Sequence, residues 1–174
     1  MSLATGVRIA VILFVVAILQ VSAFSSVSTV GGGPNVLLVT LVSIALLRGA
    51  VTGAIAGFAA GLVVDLATLG TLGLTALLLT LAGYWAGRYG ETTGRARPHA
   101  PLAATLAATL FVEFGGYALY SLLGEPVETH AVLAALPATI VWNAALTYPI
   151  FGLVRRLVGA SERGERAREV EILV

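Results

Sequence analysis

The sequence predicts an all-α integral membrane protein that forms one bundle of six transmembrane helices. Three observations lead to this prediction: hydrophobic residues make up 58% of the 174-residue chain, charged residues make up 11%, and the mean hydropathy is +0.97. Soluble domains contain about 45–50% apolar and about 25% charged residues. The composition therefore indicates a protein that is solvated by lipid, and the length suits a single domain.

The charged residues nearly balance, with ten basic and nine acidic side chains and a net charge of +1. This balance gives no electrostatic reason to expect a nucleic-acid partner, so the information lies in where the charges fall along the chain. The chain has no cysteine. Disulfides, thiolate metal ligands and cysteine nucleophiles are thereby excluded.

Charges, prolines and glycine clusters divide the chain into six apolar segments. Five are long enough to cross a bilayer, which takes about 20 helical residues. The second is short and reaches only about 21 Å, so it either crosses where the bilayer is thinned or is re-entrant. We expect a membrane domain over residues 1–157 and a charged cytoplasmic tail over 158–174. The predicted spans are residues 7–24, 34–47, 49–67, 72–89, 101–123 and 131–154.

The first segment has two interpretations. One arginine, an apolar run and the sequence VSAFSS are compatible with a cleaved signal peptide. The apolar run over residues 7–24 is, however, longer than the usual signal-peptide core of about 7–15 residues. We therefore expect an uncleaved first span.

The arginines predict the orientation of the bundle. With a cytoplasmic N-terminus and six crossings, all ten arginines fall on the cytoplasmic side, whereas Asp65, Glu125 and Glu128 fall outside. This arrangement follows the positive-inside rule, which a missing second crossing would violate. We expect both termini in the cytoplasm. In the tail, Glu162 and Arg166 lie four residues apart and favour a helical extension, which is either a solvated flank or a partner-docking element.

Glycine occupies every fourth position of the third segment, at Gly49, Gly53, Gly57 and Gly61. In lipid no hydrophobic force drives helices together, and small residues at this spacing allow two backbones to pack closely. Each of these glycines would cost a helix about 1 kcal/mol relative to alanine in water. We therefore expect another backbone against this face, belonging either to the same bundle or to another membrane protein.

The only aspartate, Asp65, follows the glycine stripe and lies about 25 Å along the helix from Arg48. That distance places it at the outer surface of the membrane, where a carboxylate remains ionised at low cost. Two roles are open for it. It caps the turn that leads into the fourth segment, or it is exposed to a partner.

A polar seam is predicted between the fifth and sixth segments. Thr109 and Glu113 share a helix face, and Asn143 and Thr147 share one on the next helix. Glu113 and Asn143 lie at similar depths in an antiparallel pair, each about 18 Å from the start of its segment. We expect Glu113 to be protonated and to hydrogen-bond Asn143 or a neighbouring hydroxyl, because no arginine lies within the span. The face on the fifth segment also includes Thr105 and Tyr117, and that on the sixth includes Thr139.

Three roles are open for the acid in this seam: a structural clamp, a ligand site or a proton path. Catalysis is not indicated. The two histidines, His99 and His130, fall on opposite sides of the membrane, and the chain contains no Walker loop, HExxH or GxSxG motif. We predict a protein that is not an enzyme and has no cofactor.

The middle third of the chain contains an ordered series of short motifs. The series begins with a proline and a polar residue at Pro34 and Asn35 and continues through LLRG, GFAAGLVVDL, LG and GYWAGR. It resembles MreD, the bacterial family of rod shape-determining membrane proteins, whose members more often have an acid after the proline. This resemblance implies a non-enzymatic scaffold of the cell-elongation complex in the inner membrane. The implied partners are MreC, which has one membrane helix, and further the MreB filament, the RodA glycosyltransferase and a class B penicillin-binding transpeptidase.

The resemblance also implies roles for particular residues. One face would offer the glycine stripe and neighbouring residues to the MreC helix, with Asp65 exposed to the segment that follows it. Another face would meet cytoplasmic partners in the region of residues 90–100. The residues assigned to the first face are Gly49, Gly53, Gly57, Phe58, Gly61, Asp65 and Gly73, and those assigned to the second are Arg48, Arg88, Arg95 and Arg97.

A second function is also compatible with six spans and this length: the substrate-binding membrane subunit of a vitamin transporter, a class distantly similar to MreD in fold. Such proteins usually dock their transport partner through an AxxxA pattern in the first helix. The first segment of this chain, RIAVILFVVAILQVSA, has no such pattern. A vitamin site would use Glu113, Tyr117, Tyr120 and Trp142 near the outer face.

Overall fold

The computed structural model describes residues 3–24, 32–93, 99–124 and 129–172, and all regular secondary structure within these ranges is helical. A π-helical turn, Gln20–Phe24, continues the first helix. The predicted all-α membrane bundle of six helices is confirmed. The helices are α1 (Leu3–Leu19), α2 (Val36–Arg48), α3 (Ala50–Thr68), α4 (Leu74–Thr93), α5 (Ala100–Leu122) and α6 (Thr129–Ile172).

Four stretches are long and apolar enough to cross a membrane: Thr5–Ser22, Ala50–Thr68, Ala100–Leu122 and Val132–Val158. Helix α4 has comparable length, with 20 residues. Helix α2 has only 13 residues and extends about 20 Å, so it is too short to cross the bilayer core of about 30 Å as a helix.

Helix α2 is the centre of the bundle. Every residue from Leu37 to Leu46 is buried. It contacts α1, α3, α4, α5 and α6, so its side chains are covered by protein on all sides. A helix that is apolar around its whole circumference is stable only when it is enclosed in this way. The short second segment is therefore the core helix of the fold.

Helices α3 and α4 form an antiparallel hairpin, and the contact between them is the most extensive in the molecule. Leu69 caps the C-terminus of α3 in the left-handed conformation, with φ of 53°, and Gly73, with φ of 92°, precedes α4. These two residues reverse the chain between the helices.

Helix α6 continues through Pro137 and Pro149 and extends 14 residues beyond Val158, the end of its apolar span. The guanidinium of Arg48 donates a hydrogen bond to the Val158 carbonyl at 3.1 Å. This bond joins the last turn of α2 to α6 where α6 leaves its apolar stretch. Whether the extension docks a partner stays a prediction.

The two ends of the bundle differ in charge. The described arginines all lie towards the end where α1 begins and α2 and α4 finish, and we call this the arginine end. The opposite end, which contains Asp65 and the turn between α3 and α4, is the aspartate end. The positive-inside rule predicts that the arginine end faces the cytoplasm. The residues that define the arginine end are Arg8, Arg48, Arg88, Arg155 and Arg156.

Candidate functional site

The glycine stripe of α3 packs directly on the backbone of α4. A Cβ atom added to Gly53 would overlap the carbonyl of Gly83, and one added to Gly57 would overlap the backbone of Leu79. Further along, Gly61 lies against the backbone of Ala76. The expectation that this stripe offers a free face to a partner helix is wrong, because α4 already occupies the face along its whole length.

Asp65 closes the hairpin at the aspartate end. One carboxylate oxygen accepts hydrogen bonds from the amides of Gly73 at 2.8 Å and Ala76 at 3.3 Å, and the other accepts one from Thr75 at 3.2 Å. A carboxylate at this position satisfies the first amides of α4 and complements its helix dipole. Asp65 is only 2% exposed, so the expected exposure to a partner is not found. Its geometry is that of a cap for the turn and for α4.

Glu91 closes the same hairpin at the arginine end. Its Oε1 accepts a hydrogen bond from the amide of Ala50, the first residue of α3, at 2.9 Å. Its Oε2 forms an ion pair with Arg88 at 3.4 Å. Each helix of the hairpin thus carries, near its C-terminus, a carboxylate that caps the N-terminus of the other.

Sequence reasoning missed Glu91 and the glycines of α4 that face α3. Gly83, Gly87 and Gly90 all lie against α2 or α3 backbone, with contacts to Gly53, Gly49 and Leu46. The sequence GYWAGRYG already indicated this packing, because its glycines are separated by four and then three residues, which places them on one helix face. Two consecutive segments with glycines at helical spacing predict each other as partners.

A second constellation surrounds the N-terminus of α2, inside the bundle. Asn143 of α6 donates from Nδ2 to the Thr109 hydroxyl of α5 at 2.9 Å, and its Oδ1 accepts the amide of Asn35 at 2.8 Å. Both Asn143 and Thr109 are completely buried. We call Gln20, Asn35, Thr109 and Asn143 the polar junction. It joins α1, α2, α5 and α6 at one point.

Gln20 completes the polar junction from the π-helical turn that follows α1. Its side-chain oxygen accepts the amides of Val36 at 2.9 Å and Leu37 at 3.4 Å, and its nitrogen donates to the Pro34 carbonyl at 3.1 Å. The Asn35 side chain accepts the amide of Leu38 at 3.0 Å. Every amide from residue 35 to residue 38 therefore has a side-chain partner. Such a set is needed because backbone polar groups at membrane depth have no water to bond.

Of the partners predicted for Glu113, which were Asn143 or a neighbouring hydroxyl, the bond to Asn143 is not found. Asn143 bonds Thr109, which lies one helical turn from Glu113 towards the arginine end. Glu113 is partly buried, and among the described residues no hydrogen bond joins it to Asn143. The Thr147 hydroxyl donates to the carbonyl of Asn143 in its own helix at 2.7 Å, so it supports α6 locally.

The remaining predicted residues lie in separate places. Phe58 is 52% exposed. The side chain of Arg88 is 59% exposed at the arginine end, whereas Arg48 is partly buried against α6. Arg95 and Arg97 lie outside the described residues.

Two apolar grooves open on the flanks of the hairpin, each with a volume of about 530 Å³. The first lies between α1 and α3, and we call it the α1–α3 groove. Its small exposed residues include Ala10 and Ala59, and its larger ones include Phe14 and Ile55. The lining on α3 runs from Thr52 to Val63, a length of about 17 Å.

The second groove, the α4–α5 groove, is on the other flank. Its lining on α4 runs from Ala82 to Tyr89, about 10 Å, and on α5 from Ala103 to Phe111, about 12 Å. Both stretches belong to the half of the bundle nearer the arginine end. The groove is lined by alanines and by three aromatic residues, of which Trp85 is 63% exposed.

Among the described residues, no group of three histidine, aspartate or glutamate side chains lies close enough to hold a metal ion. The chemistry of these constellations is hydrogen bonding and close packing. The polar atoms of the polar junction bond to one another and to the backbone of α2, and the two grooves are apolar.

Comparison with known proteins identifies the family. None of the curated proteins and none of the solved structures gives a significant match. The family model described as rod shape-determining protein MreD matches residues 3–158, which include all six helices up to the end of the apolar part of α6. The resemblance read from the sequence is confirmed. The chain belongs to the MreD family and has a role in the determination of rod shape.

Proposed function

We propose that the protein is a non-enzymatic membrane scaffold of the cell-elongation complex. It binds the single membrane helix of an MreC-like protein and links cell-wall synthases, RodA and a class B transpeptidase, to the MreB cytoskeleton. Family membership supports the general role in rod shape, and the surface of the bundle supports a binding site for a helix.

The α1–α3 groove is the proposed site for the partner helix, and its shape is the observation that carries the proposal. Since α4 covers the glycine stripe, a partner must use another face of α3. The groove runs about 17 Å along α3, which exceeds one leaflet of the bilayer core, about 15 Å thick. A ligand that follows it passes from one leaflet into the other, as a transmembrane helix does.

The side chains of the groove also suit a helix. Helices associate in lipid through close packing at small residues, since lipid is as apolar as their side chains. Ala10 and Ala59 are exposed small residues on the two walls, while Val7, Phe14 and Ile55 are exposed large ones that a partner helix would interdigitate with. Helix α1 is buried mainly through Ile9, Leu13 and Ala17, so most of its surface is available.

The arginine end supports contact with partners on the cytoplasmic side. It presents the exposed Arg88 side chain and the extension of α6 to Ile172. The extension is long enough to reach about 20 Å beyond Val158.

The test fills each groove with one tryptophan. Ala59 and Ala107 are a matched pair, because each is an exposed helical alanine that lines one of two grooves of equal volume. The variants Ala59→Trp and Ala107→Trp are expressed with a tagged MreC-like partner and purified from the membrane in mild detergent. We expect Ala59→Trp to lose the partner and Ala107→Trp to retain it.

Thermal unfolding of both variants in detergent controls for loss of the fold. If Ala59→Trp unfolds early, Ala10→Trp fills the same groove from the opposite wall. A folded Ala59→Trp or Ala10→Trp that retains the partner fully would contradict the proposed site. Failure of the wild-type protein to retain any MreC-like or RodA-like protein would contradict the scaffold function.

The alternative function in vitamin transport gains no support from the residues expected to form its site. Trp142 is 51% exposed on the outside of α6, and the Tyr117 hydroxyl bonds Thr129 of α6 at 2.9 Å. A small molecule that co-purifies in stoichiometric amount with an ATPase complex would favour this alternative over the scaffold.

A further inference from the structure

The α4–α5 groove combines an apolar channel with a cationic rim. Its lining begins near the arginine end, at Tyr89 of α4 and Ala103 of α5, and reaches Ala82 and Phe111 in the interior. This depth of about 10–12 Å fits within one leaflet of the bilayer core, about 15 Å thick. The groove is therefore too short to follow a transmembrane helix across both leaflets, and it matches the acyl region of a single leaflet.

A basic side chain lies beside the rim of the groove. Arg88 follows the lining residue Trp85 by three positions, so the two lie on neighbouring parts of the helix surface, and the Arg88 side chain is 59% exposed. It forms an ion pair at 3.4 Å with Glu91, whose other carboxylate oxygen accepts the Ala50 amide. The 23-residue helix α5 begins beside the same rim, and no side chain of the described residues caps its first turn. A helix N-terminus favours an anion through its amides and its dipole.

An apolar groove of one-leaflet depth below a cationic rim is complementary to an anionic amphiphile. We propose that the α4–α5 groove binds an anionic phospholipid of the cytoplasmic leaflet, with an acyl chain against the alanines and the phosphate near Arg88 and the start of α5. Trp85 and Tyr89 border this site, and aromatic residues of this kind are favoured at the level of the headgroups. This site is separate from the groove proposed for the partner helix.

The test measures lipid retention by native mass spectrometry. The full chain is reconstituted into vesicles of equimolar phosphatidylglycerol and phosphatidylethanolamine, extracted in mild detergent and analysed with its bound lipid. We expect the wild type and Ala59→Trp to retain phosphatidylglycerol in preference to phosphatidylethanolamine. We expect Ala107→Trp, which fills the α4–α5 groove, to lose that bound lipid.

A second variant tests the headgroup position without altering the groove. Arg88→Gln removes the charge at the rim, and we expect the preference for phosphatidylglycerol to fall about fivefold, the change typical of one basic residue at an anionic membrane surface. This variant keeps the proposal testable even if Ala107→Trp fails to fold.

Three results would overturn the proposal. In the first, the wild type retains the two lipids equally. In the second, a substitution in the site has no effect: a folded Ala107→Trp retains as much phosphatidylglycerol as the wild type, or Arg88→Gln keeps the full preference for it. In the third, Ala107→Trp releases a bound protein or a second copy of the chain in place of a lipid, which would make the groove a site for a helix.

Discussion

The α3–α4 hairpin and the polar junction hold backbone together in the membrane by different means. In the hairpin, glycines let two helices touch through backbone atoms, and carboxylates are needed only at the two ends. At the polar junction, the side chains of Gln20, which follows α1, and of Asn143 on α6 bond the amides at the start of α2, together with Asn35 itself. In both arrangements the backbone amides have partners within the protein, as they must, because the bilayer core holds no water to bond them.

The difference determines how each region tolerates change. Glycine packing has no spare volume, since a Cβ added to Gly53, Gly57 or Gly61 meets backbone atoms of α4 that cannot move aside. The polar junction has spare hydrogen-bonding capacity, since an amide or a hydroxyl accepts more than one bond. We therefore expect added volume to damage the hairpin most, and removal of a polar group to damage the polar junction more mildly.

The largest effect is expected for Gly57→Leu. The added side chain would overlap the backbone of Leu79, and we expect destabilisation above about 3 kcal/mol, with Gly57→Ala losing about 1–3 kcal/mol. Thermal unfolding in detergent measures both. The control is Gly152→Ala, because no atom lies within 4 Å of a Cβ at that helical position, and it should be neutral or gain up to about 1 kcal/mol. Equal effects of Gly57→Ala and Gly152→Ala would contradict the claim that close backbone packing limits what the hairpin tolerates.

Asn143→Ala is expected to be next. It leaves the Asn35 amide and the Thr109 hydroxyl without their partner, and we expect a loss of about 1–3 kcal/mol. Thr109→Val should lose less, because it removes only one of the two bonds and keeps the shape of the side chain. The same unfolding assay ranks the two variants, and an Asn143→Ala protein as stable as the wild type would contradict the role of the polar junction.

Substitutions of Asp65 measure how much the cap of the hairpin contributes to stability, apart from the packing of its glycines. Asp65→Ala removes the acceptor of three amides, and we expect a loss of about 0.5–2 kcal/mol, as for other helix caps. Asp65→Asn keeps one oxygen and should recover part of that stability. If the two variants were equally destabilised, the negative charge rather than the number of acceptors would be the dominant contribution.

The smallest effect is expected for Gln20→Leu. Its oxygen is shared by two amides, one of them at 3.4 Å, so we expect a loss of about 1 kcal/mol. Amide hydrogen exchange gives a sharper readout than unfolding, because it should accelerate at Val36 and Leu37 and not at Leu41. Unchanged exchange at Val36 would show that Gln20 does not protect the start of α2.

The sequence predicted the helices well because their signals are local. Apolar length and charge indicated six segments, and the described residues form six α-helices. The glycine repeat correctly indicated that a backbone lies against α3. It could not say whose backbone, because spacing describes one face only. The second glycine series, in α4, supplied that answer and was missed.

The polar junction could not be read in the same way. Its bonds join Asn35 to a residue 108 positions away and Gln20 to one 16 positions away. Depths counted from the ends of two helices matched Asn143 with Glu113, one turn from its true partner, Thr109. A depth estimated by counting residues from a helix end has an error of about one turn. It also gives no information on α2, the third helix, which brings the Asn35 amide to the same point.

We infer that a partner helix lies in the α1–α3 groove while the glycine stripe stays inside the fold. Ile55 and Val141 test it directly, because they are 66% and 67% exposed and only Ile55 lines the groove. A photo-crosslinking amino acid is placed at each position in the membrane of living cells. We expect a crosslink to an MreC-like single-span protein at residue 55 and none at residue 141. A crosslink at residue 141 alone would contradict it.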